Sequence, residues 1–235
     1  MTDKRQNRIE SLDALRGLAI VLMLVHHFLY DLVTFLDAPD WLYSNPILDI
    51  FHYIFAGLFI ALCGVSSKFS RSNLKRGLIT LGVACGISVA THLIDMPIRF
   101  GVLHLLAVCM LFYALTQKLL CRIPRWIILL ISVAGTAVSA WCVNNIEIQS
   151  EHLWIFGWTY KGFESFDYFP LLPWIFVFIF GTWAGYYVKE QKFPRLFYTA
   201  KIPVLPAIGR HSLIIYIVHQ PILFGITMLI KLIIQ

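Results

Sequence analysis

Seven stretches of this chain are long, nearly unbroken in apolar residues and free of the alternation that marks a half-buried strand. They lie at about residues 12–36, 47–67, 74–93, 100–119, 126–143, 169–188 and 212–233. Each is close to the roughly 20 residues an α-helix needs to cross the hydrocarbon core of a bilayer. Lipid offers backbone N–H and C=O groups no partners, so a spanning segment is either a helix or part of a closed barrel. Continuous apolar runs of this length exclude the barrel, whose strands are short and alternate. The pattern predicts an all-α fold, a polytopic transmembrane bundle of about seven spans forming one domain over residues 1–235. Residues 199–210, with Pro203 and Pro206, are where a short re-entrant piece would fit.

Composition agrees with lipid as the solvent. Hydrophobic residues make up 59% and charged residues 14%, against about 25% charged in a soluble domain. The formal charge of +6 would suggest nucleic acid in a soluble protein. Here the basic residues sit between apolar runs and build no basic face of their own, so no nucleic-acid partner is expected. Their distribution orients the chain instead. With the N-terminus in the cytoplasm, all but Arg99, Lys161 and Lys231 of the 19 lysines and arginines fall on the inner side. That is the positive-inside asymmetry, and an added or missing span would spoil it. Lys4, Arg5 and Arg8 precede the first run as in a signal peptide. The run itself is too long for one and contains Asp13 and Arg16, so it reads as a retained helix. The five cysteines form no CxxC pair and mostly lie in apolar runs, which fits small buried side chains rather than a disulfide framework or a metal site.

Titratable groups inside membrane helices are costly and usually face the bundle interior for a purpose. The first helix carries the most. Arg16 and His27 are eleven residues apart, which at 3.6 residues per turn puts them on one face about 16 Å apart along the axis. Asp13 lies one turn before Arg16 and Asp31 one turn after His27, whereas His26 points about 100° away. Asp49 and His52 start the second helix, His104 lies about a turn inside the fourth, Asp95 and Arg99 join the third to the fourth, and His219 is on the last. Depth alone lets several of these meet in an outer-half cavity. For His26, His92 and His211 a packing or backbone-bonding role is the better reading.

Four segments, in order, resemble a known family. They are Arg8-Ile-Glu-Ser-Leu-Asp-Ala-Leu-Arg-Gly-Leu-Ala-Ile followed by His26-His27-Phe-Leu-Tyr-Asp31; Arg99-Phe-Gly-Val-Leu-His104; Asp167-Tyr-Phe-Pro-Leu-Leu-Pro-Trp174; and Gly209-Arg210-His-Ser-Leu-Ile-Ile-Tyr-Ile-Val-His219-Gln-Pro221. The arginine and histidine with ten residues between them resemble the first helix of transmembrane acyltransferases. Together the segments are similar to the bacterial branch of the heparan-α-glucosaminide N-acetyltransferase catalytic-domain family. The resemblance implies transfer of an acyl group, acetyl in the first instance, from cytoplasmic acyl-CoA to a hydroxyl or amine of a sugar-like acceptor outside, in a bacterial inner membrane. It implies acetyl-CoA or another acyl-CoA as donor, and no metal or haem. A homodimer is left open. In the lysosomal branch a histidine in the loop after the first helix is held to be catalytic, and an asparagine matches His27. Here residues 37–45 contain no histidine, so either His27 carries the chemistry or the reaction differs.

On this reading Arg16, with Arg76 and Arg210, pairs with CoA phosphates, since guanidinium matches phosphate bidentately. His27 is the general base, Asp31 or Asp49 orients it, and His104 or Arg99 stabilises the oxyanion. Asp49, His52, Asp95, Arg99, Asp167 and His219 are the candidate acceptor-binding groups. Two other classes remain open. A proton-coupled transporter would use the same Arg/His/Asp stripe and would show proton-linked uptake without an acyl donor. A b-type cytochrome would ligate haem through helix histidines and would purify coloured.

Overall fold

A computed structural model describes residues 9–234; Lys4, Arg5 and Arg8, counted above among the flanking basic residues, lie outside the described residues. The long helices are α1 (Glu10–Leu36), α2 (Pro46–Ser67), α3 (Asn73–His92), α4 (Val102–Leu120), α5 (Arg125–Asn145), α6 (Leu171–Lys189) and, after the short α7 (Arg195–Thr199) and α8 (Leu205–Arg210), α9 (Ser212–Ile234). Among the described residues seven helices are long and apolar enough to cross a membrane. No strand forms among them; Phe100 and Tyr168 make one isolated bridge. The all-α transmembrane reading is borne out, and each predicted span lies within a few residues of a helix.

The chain divides into two compact units, one made of residues up to Phe59 and from Phe193 onward, the other of Ile60–Lys192. In the first unit α1 packs against both α8 and α9. The approach to α8 is as close as backbones permit. A methyl group at Gly17 would overlap the Leu205 carbonyl, and one at Gly209 would overlap the Asp13 carbonyl. Absence of a Cβ on both sides is what lets the helices meet. Phe35 against Phe224, with ring centroids 5.2 Å apart, closes the other end of the α1–α9 contact. The proline-bearing segment after α6 therefore holds two short helices, and the second is seated on α1. Val204, with φ 64°, turns the chain into it.

In the second unit α4 is the most enclosed span; Leu105, Ala107 and Cys109 are fully buried. The end of α2 meets α6 by the same small-residue device. A Cβ at Gly64 would strike the Phe178 carbonyl, and one at Gly181 the Ala61 carbonyl. The pair Gly181 and Gly185, one turn apart, is thus a packing feature. Ser72 caps α3 by accepting from the Lys75 N–H at 3.2 Å. Beyond α6, Arg125 pairs with Glu190, and Lys192 reaches the same carboxylate at 3.0 Å. The Arg125 hydrogen bond, helped by Lys192, holds the Glu190 carboxyl down to about 2.

Candidate functional site

In the first unit four imidazoles stand in a row. At about 100° per residue, His26 faces α2 and His27 faces α9. Ring centroids are 4.5 Å apart for His52 and His26, 5.8 Å for His26 and His27, and 4.9 Å for His27 and His219. Tyr43 lies 5.0 Å from His26. Despite this density, no group of three or more His, Cys, Asp or Glu side chains among the described residues is disposed to hold a metal ion.

The backbone sets the tautomer of two of these rings. His27 Nδ1 lies 2.9 Å from the Met23 carbonyl oxygen, and His219 Nδ1 lies 2.6 Å from that of Tyr216. A carbonyl only accepts, so in the neutral ring each Nδ1 carries the proton and each Nε2 holds the lone pair. His27 Nε2 is therefore the basic atom of that side chain. The expectation that Asp31 or Asp49 would orient His27 is not met. The orienting acceptor is the carbonyl one turn back on its own helix. Asp49 is exposed in the first turn of α2, where a carboxylate suits the helix dipole.

Asp31 has a different partner. It is fully buried, and its Oδ1 accepts from Gln220 Nε2 at 2.9 Å. Its Oδ2 has no hydrogen-bond partner among the described residues, nor has His219 Nε2 or Gln220 Oε1. Sequence reading missed Gln220; the signal was its place beside His219, where two polar residues stand together in an apolar span. Gln220→Leu is expected to leave Asp31 buried without its amide donor. That costs roughly 1–3 kcal/mol or more for a charged group, and should appear as a lower midpoint of thermal unfolding in detergent.

At the start of α1, Asp13 is almost fully buried and holds two guanidinium groups. Arg16 Nη1 donates to its Oδ1 at 2.5 Å, and Arg210 Nε lies 3.6 Å from its Oδ2. Arg210 also approaches Glu10 at 4.0 Å. The two arginines expected at the phosphate end are thus brought together by α8 packing on α1.

The remaining candidates belong to the second unit. His104 links three segments. Its Nδ1 accepts from the Gly101 N–H at 3.3 Å, its Nε2 faces Ser88 Oγ at 3.3 Å, and that hydroxyl donates to the Ile98 carbonyl at 2.5 Å. Both ring nitrogens are engaged, so in this arrangement the side chain closes the α3–α4 turn. Asp167 Oδ2 accepts from the Val102 N–H at 3.2 Å, at the start of α4. Arg99 pins the long loop before α6: Nε donates to the Glu164 carbonyl and Nη1 to the Tyr160 hydroxyl, both at 3.1 Å, with Phe163 beneath it. Tyr168 donates to the Trp154 carbonyl at 2.5 Å; burial pushes its phenol up to about 12, so it stays a donor at ordinary pH. Asp95 is exposed at a positive-φ turn, and Arg76 is half-buried on α3.

The family model described as "Heparan-alpha-glucosaminide N-acetyltransferase, catalytic" matches residues 8–221. The chain belongs to the heparan-α-glucosaminide N-acetyltransferase catalytic-domain family. The match spans α1 to the middle of α9 and so takes in every candidate residue named above. No curated protein and no solved structure matches the chain. Membership makes this an integral membrane protein of acyltransferase type.

Proposed function

We propose that the protein transfers an acyl group, acetyl first among the candidates, from cytoplasmic acyl-CoA to a hydroxyl or amine of a sugar-like acceptor on the opposite side of a bacterial inner membrane. The supporting observation is the His27 ring, fixed by the Met23 carbonyl with its lone pair on Nε2 and set three turns along α1 from Arg16. Arg16 and Arg210, gathered on Asp13, form the phosphate end of the donor site. The pantetheine arm follows α1 and presents the thioester carbonyl near His27. His27 Nε2 takes the proton of the acceptor as its oxygen or nitrogen attacks that carbonyl. The acyl–oxygen or acyl–nitrogen bond forms, the carbon–sulfur bond breaks, and CoA leaves. His52 and Asp49, on the same unit, line the acceptor side. Within the second unit, Arg99 orders the long loop before α6 and His104 positions the start of α4.

The donor site is tested by titrating acetyl-CoA into the protein in nanodiscs by calorimetry. Saturable binding is expected, weakened about tenfold or more in Arg16→Ala, which is 1.4 kcal/mol or more. Binding unchanged by that variant would move the donor site away from Arg16. A folded protein that binds no acyl-CoA, yet takes up solute in step with protons, would replace acyl transfer with transport.

A further inference from the structure

We propose that His219 is a second acid–base group of this reaction, working with His27 as a pair that shares one proton; the inference rests on the acyl-transfer reading above. The two rings meet edge to face at 4.9 Å, from α1 and α9. Each is tied through Nδ1 to a carbonyl of its own helix, so each keeps Nε2 for chemistry. The His219 Nε2 is buried and has no hydrogen-bond partner among the described residues. A buried polar atom left open in this way costs free energy and calls for an explanation.

Charge balance supplies the shared proton. Asp31 is fully buried, and its only hydrogen-bond donor among the described residues is the neutral amide of Gln220. A carboxyl so enclosed either takes up a proton itself or is balanced by a cation nearby, and the proposal takes the second course. His27 is one turn away on the same helix, and His219 adjoins Gln220. One proton distributed over the two imidazoles neutralises Asp31 and leaves one ring as imidazole and the other as imidazolium. The titratable groups facing His219 are His27 and, across Gln220, Asp31 from α1, with Tyr216 at 5.3 Å from its own helix. Arg210 on α8 is turned to Asp13 and Glu10.

The pair does two jobs in one turnover. His27 Nε2, unprotonated, takes the proton of the attacking hydroxyl or amine. His219, protonated, gives its Nε2 proton to the departing CoA sulfur as the carbon–sulfur bond breaks, so CoA leaves as the thiol. The proton gained by His27 then passes to His219 and restores the starting state. No proton is gained or lost by the protein over the cycle, and no further reagent is needed.

The test compares wild type with His219→Gln in nanodiscs, following acetyl transfer over pH and with two donors. One donor is acetyl-CoA. The other is phenyl thioacetate, whose acidic thiol leaves without needing a proton. Wild type is expected to give a bell-shaped pH profile, reporting the pair rather than either ring. In His219→Gln the rate with acetyl-CoA should fall about 10²-fold, in line with loss of one general acid. The alkaline limb should vanish while the acid limb stays, and turnover of phenyl thioacetate should be little changed. If the variant does not purify folded, His219→Asn takes its place in the same comparison. Equal loss with both donors, or a bell retained in the variant, would overturn the role of His219 while active wild type keeps the acyl-transfer reading. Wild type inactive with every acyl-CoA would overturn both.

Discussion

His27→Ala should lower acyl transfer by about 10²–10⁴-fold, the usual contribution of a positioned general base. The protein should still fold. His27 is only half-buried, and its Nδ1 bond is to a carbonyl of its own helix, which keeps its main-chain partner without it. Truncation therefore removes the basic Nε2 without opening the α1–α8 contact, which lies nearly three turns away at Gly17. Circular dichroism and gel filtration should match wild type, and acetyl-CoA affinity should change little because Arg16 and Arg210 remain. Loss should appear in kcat rather than in donor binding. Retained full activity would remove His27 from the mechanism.

Gly209→Ala should be the most destabilising single-methyl change at the α1–α8 contact. The added Cβ would overlap the Asp13 carbonyl oxygen and crowd the Gly17 N–H, all main-chain atoms that cannot rotate aside. Overpacking of this kind costs about 1–3 kcal/mol, and more where the backbone must move. Gly17→Ala meets the Leu205 carbonyl across the same crossing, so the two substitutions should not be additive. Displacing α8 also draws Arg210 away from Asp13, so acetyl-CoA binding should weaken together with thermal stability. Gly82→Ala and Gly86→Ala serve as controls. Nothing lies within 4 Å of a Cβ at either position on α3, and alanine favours helix by up to about 1 kcal/mol over glycine. If Gly209→Ala melted with those controls, the close crossing would be wrong.

The membrane-spanning elements and the family are both legible from the residues alone. Spans are legible because lipid imposes one local requirement, a run of about 20 apolar residues, that needs no knowledge of neighbours. The stripe of Asp13, Arg16, His27 and Asp31 was legible for the same reason: 3.6 residues per turn relates positions on one helix. Partners on different helices follow no such rule. That His219 meets His27, that Gln220 rather than His27 engages Asp31, and that His26 joins the row with His52 depend on how far one helix slides and rotates against another. Close approach at Gly17 and Gly209 fixes that for α8 on α1, and a glycine pattern does not say which backbone it admits. The tautomer of His27 was likewise settled by a competition the sequence leaves open. A side chain one turn on and a carbonyl one turn back are both near, and His27 Nδ1 goes to the carbonyl while Asp31 Oδ1 accepts from Gln220 of α9. His104 shows the same limit: its depth suggested chemistry, whereas folding brought Gly101 and Ser88 to its two nitrogens. Local periodicity places a side chain on a face; only the tertiary contacts decide which of its atoms remain available.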